Sequence, residues 1–425
     1  MNKREKLPFI ANIAATILGI AAFNQIFRLT PSLGRITYYG IFIFFGFLLL
    51  TSAMKEEKIW IYEKIWLLWG IMWLSILFNY SEIPPAYQVV YRNISFFLVM
   101  LGVGPFMNSN MLSCARFRVL NVFNFGLFIM VMLSFIGYWM HLFPKDPQGY
   151  YIGCSIHSMY LGCISGITML NCLHEAMITS GRMKKYFLLF GIFSFLTGML
   201  AASRVALGSC IVGVIAYCAI CFRGRYSAVL KRMLMVVIIC GILINYCDVS
   251  IFIDGINKKM RYQGEGINLE NLTSSRMEVW EDRINEFKNS PIFGVGAHST
   301  RPEYCSRNQY SELGVVEPGN AWLFFLSSSG IFSFIVFCSI MITSLSLLWR
   351  RTTPFSDGAL FFSLLCYFTV FMNAEAHITA SGDYTFIYFW LLISLTLPRY
   401  CDSLCGNQMS LQIFMPRKVI KMLIK

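Results

Sequence analysis

The sequence is poor in charged side chains. Asp, Glu, Lys and Arg make up only 13% of its 425 residues, whereas soluble globular domains average about 25%. Hydrophobic residues make up 56% of the chain and stand in long blocks, and a helix needs about 20 predominantly apolar residues to cross a bilayer. The composition therefore excludes a soluble globular protein and predicts an all-α fold, a polytopic membrane helix bundle.

The shortage of acidic residues leaves a net charge of +13. A protein that binds nucleic acid gathers its basic residues on one accessible face. Here Lys and Arg stand instead in short runs between the apolar blocks, which is the pattern that orients a membrane protein. Nucleic acid is therefore not an expected partner.

Motifs that hold cofactors are also lacking. The sequence has no phosphate-binding loop, no Rossmann glycine pattern and no zinc-protease spacing, and its longest predicted loop contains no Asp-x-Asp pair. Most of the fourteen cysteines lie within apolar blocks, which is typical of small buried apolar residues. We expect neither a metal ion nor another cofactor.

Twelve apolar blocks predict about twelve membrane spans. They lie at about residues 8–27, 36–53, 65–80, 87–107, 119–141, 154–173, 186–201, 205–222, 233–249, 320–348, 356–374 and 384–398. Lys and Arg are frequent in every second connection, including one at Arg116 and Arg118, and rarer in the connections between. The positive-inside rule then places both termini in the cytoplasm of a bacterial cell, with the chain in its inner membrane.

The spans divide the chain into four parts. Residues 1–249 form an N-terminal bundle of nine spans, 250–319 form one long external loop, 320–400 contain the last three spans, and 401–425 form a basic cytoplasmic tail. A loop of this length without function is uncommon in a compact domain. The external loop is therefore the first place to look for a site.

The external loop contains a predicted amphipathic helix. Ser275 and Glu278 have the spacing of a capping box, and Ser290-Pro291 ends the helix. Its apolar positions at helical spacing are Met277, Trp280, Ile284 and Phe287. This apolar face is expected to rest on lipid or on the bundle, and a simple tether lying on the membrane surface is the alternative.

Arg204 is the clearest candidate for function, since two spans meet beside it with almost no loop between them. Ionisable residues at membrane depth are costly and usually functional. Guanidinium binds phosphate in a two-pronged way, so a lipid diphosphate is a candidate ligand. The alternative is an Arg that extends to the lipid headgroups.

Further candidates concentrate in the external loop and between the last two spans. The loop residues are Arg276, Arg283, Arg301, Arg307, His298 and Glu317, and the later polar cluster is Asn373, Glu375, His377, Ser381 and Asp383. Glu317 stands just before a span, where partial desolvation suits a general base. The later cluster either lines the same cavity or is a solvated loop.

Three motifs resemble the O-antigen ligase/polymerase superfamily. They are Ser203-Arg204 between two spans, Arg276-x3-Trp280 leading to Ser290-Pro-Ile-Phe-Gly-Val-Gly296, and Asn320-Ala-Trp322-Leu followed by Ser329-Gly-Ile331. Together they cover about residues 186–340. The resemblance implies a GT-C-like membrane bundle that takes lipid-linked glycans as donors, with Arg204 and Arg276 on the donor diphosphate.

The resemblance also bears on which reaction is catalysed. Family ligases usually have a His where this chain has Gly319, whereas the Glu-x-x-Asn-x-Trp-Leu form is more similar to polysaccharide polymerases, with Glu317 as the base. The expected function is a polymerase that joins undecaprenyl-diphosphate-linked repeat units into O-antigen or another surface polysaccharide at the outer face of the membrane. A ligase acting on lipid A-core or protein and a lipid-linked glycan flippase are the alternatives.

The expected partners are an undecaprenyl-diphosphate-linked glycan and membrane lipid, and a chain-length regulator protein is a further candidate. With Glu317, Arg204 and Arg276 as catalytic residues, the predicted substrate-binding residues are Arg283, Arg301, Arg307, His298, Asn320, Trp322 and Glu375.

Overall fold

The computed structural model describes residues 7–56, 59–145, 150–223, 276–304 and 319–396. The α-helices within these ranges are α1 (Phe9–Asn24), α2 (Arg35–Glu56), α3 (Glu63–Asn79), α4 (Val89–Val103), α5 (Asn110–Trp139), α6 (Ser158–Ile178), α7 (Arg182–Leu200), α8 (Arg204–Cys221), α9 (Arg276–Asn289), α10 (Ala321–Arg351), α11 (Asp357–Phe371) and α12 (Tyr384–Thr396). One short antiparallel pair, β1 (Trp60–Ile61) and β2 (Met107–Asn108), accompanies them.

The predicted fold class is confirmed: the chain is an all-α polytopic membrane bundle. Seven of the described helices are long and apolar enough to cross a membrane, and shorter apolar helices accompany them. Every helix of the bundle corresponds to a predicted span. The predicted ninth span, at about 233–249, lies outside the described residues, as do the tail 401–425 and most of the predicted external loop.

The start of α5 corrects one predicted boundary. The helix begins at Asn110, about nine residues before the predicted span, because the Ser109 hydroxyl caps it by accepting from the backbone N–H of Leu112. Arg116, expected in a connection, is therefore fully buried within the helix. Its guanidinium donates to the carbonyl oxygens of Gly102 and Met107, at 3.3 and 2.7 Å, so the buried charge is solvated by backbone.

The centre of the bundle is α12. All of its residues are buried, and a helix that is hydrophobic all round must lie inside a bundle. The Trp390 ring packs at 5.9 Å from Phe96 of α4 and 6.3 Å from Phe337 of α10. At the periphery, α2 exposes apolar side chains such as Phe44 and Phe47, at 60% and 64%, as expected of a surface that meets lipid.

The two ends of the bundle differ in chemistry. One end, here called the strand end, holds β1 and β2 and a buried contact of 3.2 Å between His174 Nε2 and Asp357 Oδ1. The opposite end, here called the site end, brings together residues 276–304 and the connection between α11 and α12. Helices α2, α4, α6, α8, α10 and α12 all begin there, and the candidate residues that the structure describes lie there too.

Candidate functional site

Helix α9 confirms that the long loop contains a helix, but its buried face differs from the expected one. The residues buried against α10 and its surroundings are Val279, Asp282, Arg283 and Glu286. The apolar positions predicted to pack are only partly buried, and Ile284 is 39% exposed. A polar face is buried because its charges pair internally: Nη1 of Arg283 lies 2.8 Å from Oε2 of Glu286. The protein therefore covers the apolar face only in part, and the expectation that this face rests on lipid or on the bundle stays a prediction.

The turn after α9 inserts into a break in α10. At Gly330 the backbone of α10 leaves helical geometry, with φ 78° and ψ 178°. Two carbonyl groups next to the break then accept from the turn: Val295 N–H donates to Ser327 O at 2.9 Å and Gly296 N–H to Ser328 O at 3.0 Å. Past the break, Ile331 N–H donates to Pro291 O at 2.9 Å. Backbone groups that a kink would leave unpaired in the bundle are thus satisfied.

Glycine is required on both sides of this joint. A Cβ on Gly330 would lie 2.0 Å from Ile292 O, and one on Gly294 (φ 68°) would lie 2.5 Å from Ser328 O. The two glycine motifs noted in the sequence therefore form one joint. That joint fixes the end of α9 against α10, and the opposite end of α9 carries Arg276.

Arg276 connects α9 to the connection between α11 and α12. Its Nη2 lies 2.5 Å from Glu375 Oε1, and its Nη1 donates to Gly319 O at 3.2 Å. The second oxygen of Glu375 lies 3.3 Å from His377 Nε2, and His377 Nδ1 lies 3.4 Å from Asp383 Oδ2. The expected polar cluster between the last spans is therefore a chain of alternating charges that begins at a predicted catalytic residue.

The neighbouring carboxylates in this row of charged side chains determine the protonation state of His377. Burial disfavours the imidazolium form, but Asp383 and Glu375 outweigh that effect and raise the pKa of His377 to about 10. Burial likewise disfavours the Asp383 carboxylate, yet the pKa of Asp383 is lowered by the charge and hydrogen bond of His377 and by bonds from Thr385. At neutral pH His377 is therefore cationic and Asp383 is anionic.

Tyr160 on α6 completes this chain. Its hydroxyl donates to Asp383 Oδ2 at 2.8 Å, and its ring centroid lies 5.0 Å from that of His377. No role was predicted for this tyrosine, because an aromatic residue in an apolar block is indistinguishable in sequence from an ordinary core residue. Only its position in the first turn of a span that begins at the polar end could have suggested a role.

Arg204 is the first residue of α8 and lies close enough to Arg276 for the two charges to repel each other. Its place follows from a sharp connection: Ala202 takes a left-handed φ of 52° and donates to Met199 O at 2.8 Å. Two guanidinium groups next to a helix N-terminus form a site that suits an anion. The structure therefore brings Arg204, Arg276 and Glu375 together.

Two of the remaining loop candidates, Arg283 and Arg301, both contact Glu286 of α9. Arg301 is buried, pairs with Glu82 and donates to Asn79 Oδ1 at 3.1 Å, while its N–H donates to Glu286 Oε1 at 2.8 Å. Arg283 shares that Glu286. These contacts hold the segment 276–304 to the end of α3, and the predicted substrate contacts of Arg283 and Arg301 stay predictions.

Asn320 and Trp322 have clear positions at the start of α10. The Asn320 side chain caps the helix by accepting from Leu323 N–H at 3.1 Å, and Trp322 Nε1 donates to Thr369 O at 3.3 Å. Their predicted contacts with substrate stay predictions. Glu317 and Arg307 lie outside the described residues, and so does Ser275 of the expected capping box.

No metal site is evident in the described part of the chain, where no group of three or more His, Cys, Asp or Glu side chains could hold an ion. None of the described cysteines forms a disulfide. They include Cys218 and Cys221, a pair with CxxC spacing inside the apolar helix α8.

Comparison with known proteins supports the resemblance carried by these motifs. Residues 189–338 match the family model described as O-antigen ligase. This segment is of the O-antigen ligase/polymerase superfamily. The matched region runs from α7 through α8 and α9 into α10, so it includes Arg204, Arg276 and the joint at Gly330. Members of the family are membrane enzymes that transfer glycans. No curated protein matches the chain.

Proposed function

We propose that the chain is a polymerase that joins undecaprenyl-diphosphate-linked oligosaccharide repeat units at the outer face of the inner membrane. The observation that carries this proposal is the pair of guanidinium groups of Arg204 and Arg276 at the site end, within the segment that matches the family. The site end then faces the outside and both termini face the cytoplasm.

The arginines hold the donor. The diphosphate of a lipid-linked glycan carries the charge that two neighbouring guanidinium groups bind, and the N-terminus of α8 adds its dipole. Glu375 fixes Arg276 at 2.5 Å, so the charge is in place before negative charge develops on the leaving diphosphate. The diphosphate of the donor is bound while its sugar extends beyond the arginines.

The reaction exchanges one C–O bond for another. A hydroxyl oxygen of the acceptor repeat unit attacks the anomeric carbon of the donor sugar, and the bond from that carbon to the diphosphate oxygen breaks. The bonding electrons leave with the lipid diphosphate. The hydroxyl proton passes to Glu317, the proposed general base.

Gly319 favours a polymerase over a ligase. It takes a left-handed φ of 61°, and a Cβ at this position would lie 2.6 Å from Val279 Cγ1. A histidine would be strained here and would collide with α9, so this chain has no place for the His that family ligases usually carry. A carboxylate two residues earlier is the available base.

The glycans of a deletion strain test this proposal. Without a polymerase, single repeat units remain and are still passed to the final acceptor. Without a ligase, long polymer accumulates on undecaprenyl diphosphate and none reaches the final acceptor. We expect the first result, and long lipid-linked polymer in the deletion strain would make the protein a ligase.

Variants of Arg204 test the donor site itself. Lys keeps the charge but loses the planar two-pronged geometry, so Arg204→Lys is expected to lose most polymer at normal abundance in the membrane. Full polymer with Lys would show that a generic cation is enough. Full polymer with Ala would show that Arg204 only anchors the helix to headgroups.

A further inference from the structure

A second basic cavity lies at the site end, on the far side of the connection between α11 and α12. It has a volume of about 580 Å³. Its walls come from the starts of α2 and α4, from His298 and from residues 376–382. Its lining includes the polar side chains of Arg35, Tyr38, Tyr39, Tyr91, Arg92 and His298.

The charge of this cavity is positive. Arg35 is the first residue of α2 and Arg92 lies in the first turn of α4, and the two are close enough to repel each other. Among the described residues that line the cavity there is no Asp or Glu. Two guanidinium groups without a carboxylate between them are suited to an anion, and phosphate oxygens match their geometry best.

Two buried polar groups of the cavity have no hydrogen-bond partner among the residues that the structure describes. His298 is 6% exposed with Nε2 unpaired, and Tyr38 is 2% exposed with its hydroxyl unpaired. Buried polar groups that lack a hydrogen-bond partner destabilise a folded protein. Burial and the charge of Arg92 lower the pKa of His298 to about 3, so its ring is neutral at physiological pH. A ligand rich in hydroxyl and phosphate oxygens would satisfy both groups.

The backbone at His298 is held in an unusual conformation. His298 has a left-handed φ of 63°, which is uncommon for a residue with a side chain, and Arg92 Nη1 donates to its carbonyl oxygen at 3.4 Å. Strained positions of this kind persist where surrounding structure enforces them, often at binding sites. Here the strain sets the ring against the cavity.

The mouth of the cavity combines aromatic and lipid-facing surface. The rings of Tyr39 and Tyr91 meet edge to face at 5.8 Å, and Tyr91 is 45% exposed, so a ring face is available for a sugar. Ile36 and Ile94, next to the two arginines in sequence, are 91% and 42% exposed. An acyl or prenyl chain can therefore follow α2 and α4 into the bilayer.

We propose that this cavity, here called the acceptor cavity, binds the diphosphate of a second polyprenyl-diphosphate-linked glycan, the one whose sugar hydroxyl receives the growing chain. The proposal rests on the polymerase function proposed above, because a polymerase must hold two lipid-linked substrates at once. Arg35 and Arg92 bind the diphosphate, and the tyrosines and His298 contact the sugars.

One short connection separates the two proposed sites. Glu375 and His377 point to the Arg276 side, whereas Ala376, Thr379 and Ser381 line the acceptor cavity, with Ser381 Oγ at 3.5 Å from the Tyr39 hydroxyl. The two diphosphates are thereby kept apart, and the sugars of both substrates can meet over this connection.

The number of lipid diphosphates bound per chain tests the proposal. Purified full-length protein is titrated with undecaprenyl diphosphate and followed by native mass spectrometry. The wild type is expected to bind two molecules, Arg35→Gln/Arg92→Gln one, and Arg204→Gln/Arg276→Gln one. The matched control Arg182→Gln/Arg350→Gln removes the same charge from the strand end and is expected to bind two. Two molecules on the Arg35/Arg92 variant would overturn the proposal.

A competition experiment shows whether the acceptor cavity binds the diphosphate of a polyprenyl lipid or the phosphate of an ordinary lipid headgroup. Phosphatidylglycerol is added at equal concentration to the Arg204→Gln/Arg276→Gln variant, in which only the acceptor cavity remains. Retained undecaprenyl diphosphate supports the proposal, and its displacement by phosphatidylglycerol would make the cavity a headgroup site and overturn it. The single variant Arg35→Gln changes only one residue at an exposed helix end, so it is not expected to disturb folding. It is expected to weaken the second binding step about tenfold, the equivalent of 1.4 kcal/mol.

The binding experiment and the deletion-strain experiment can fail separately, so their outcomes distinguish the two proposals. If the lipid diphosphate count falls as expected but the deletion strain accumulates long lipid-linked polymer, the cavity is a second lipid diphosphate site of a ligase. If the deletion strain behaves as a polymerase mutant and the count does not fall, the acceptor binds elsewhere.

Discussion

Arg276 Nη2 lies 2.5 Å from Glu375 Oε1, which ties helix α9 to the connection between the last two helices. The first residue lies in the segment that matches the family and the second lies beyond it. Position 276 is partly exposed, with the side chain at 25%, while that of Glu375 is at 9%. The pair therefore presents a guanidinium group to the site and anchors it from the buried side.

Glu375→Gln tests this anchor. The amide can still accept a hydrogen bond but carries no charge, and hydrogen bonds to charged groups contribute about 1.5–3 kcal/mol. We expect polymer synthesis to fall at least about tenfold while the protein stays folded. Glu303→Gln, which changes an exposed carboxylate in the segment 276–304, is the matched control. A double variant with Arg276→Gln should be no worse than Arg276→Gln alone, and strictly additive losses would contradict the coupling.

The joint between the turn and α10 predicts a stability effect. Gly330→Ala places a Cβ 2.0 Å from Ile292 O at a left-handed backbone position, so the turn must leave the break in α10. Losing the bonds to Ser327 O and Ser328 O should lower the unfolding temperature in detergent and reduce polymer. Gly208→Ala, in a helix with open space around the new methyl group, is the control and should be neutral or slightly stabilising. Equal unfolding temperatures for the two variants would contradict the joint.

The spans could be predicted because a helix that crosses a membrane needs a minimum length and an apolar composition, and both can be recognised in the sequence. Arg204 could be proposed because a charge at membrane depth requires a reason, and Arg276 because the resemblance to the family implied its role. The buried face of α9 could not be predicted. Arg283 and Glu286 form an ion pair at 2.8 Å, which allows a polar face of the helix to be buried where the apolar face would usually pack. Nor could Tyr160 or the acceptor cavity be predicted, since both depend on which helix ends meet.

The protonation of His377 predicts a pH dependence of stability. Its folded pKa of about 10 exceeds the ordinary value of about 6.5. The stabilisation is therefore complete below about pH 6.5 and is lost as pH rises through about 10. Unfolding temperatures measured from pH 6 to pH 10.5 should fall more steeply for the wild type than for His377→Gln. Parallel curves would show that the imidazole is not charged in the folded protein.

The proposed orientation predicts which positions are accessible from outside the cell. Glu303→Cys lies at the site end and Arg182→Cys at the strand end, and both native residues are exposed. In a variant whose other accessible thiols are replaced, a membrane-impermeant maleimide added to whole cells should label position 303 and spare position 182. Permeabilised cells should label both, which controls for reactivity. The reverse pattern in whole cells would invert the topology and place the proposed sites in the cytoplasm.

Glu317 is the proposed base, and its substitution separates binding from chemistry. Glu317→Gln keeps the size and the hydrogen-bonding capacity of the side chain but removes the proton acceptor, and general-base catalysis typically contributes about 10²–10⁴-fold. Polymer should therefore nearly vanish, while the variant still binds undecaprenyl diphosphate as the wild type does. Glu303→Gln again serves as the control. Because the proposal assigns donor binding to Arg204 and Arg276, a variant of Glu317 that loses binding together with activity would indicate a structural role for the carboxylate. A variant that keeps full activity would assign the base to another group at the site end.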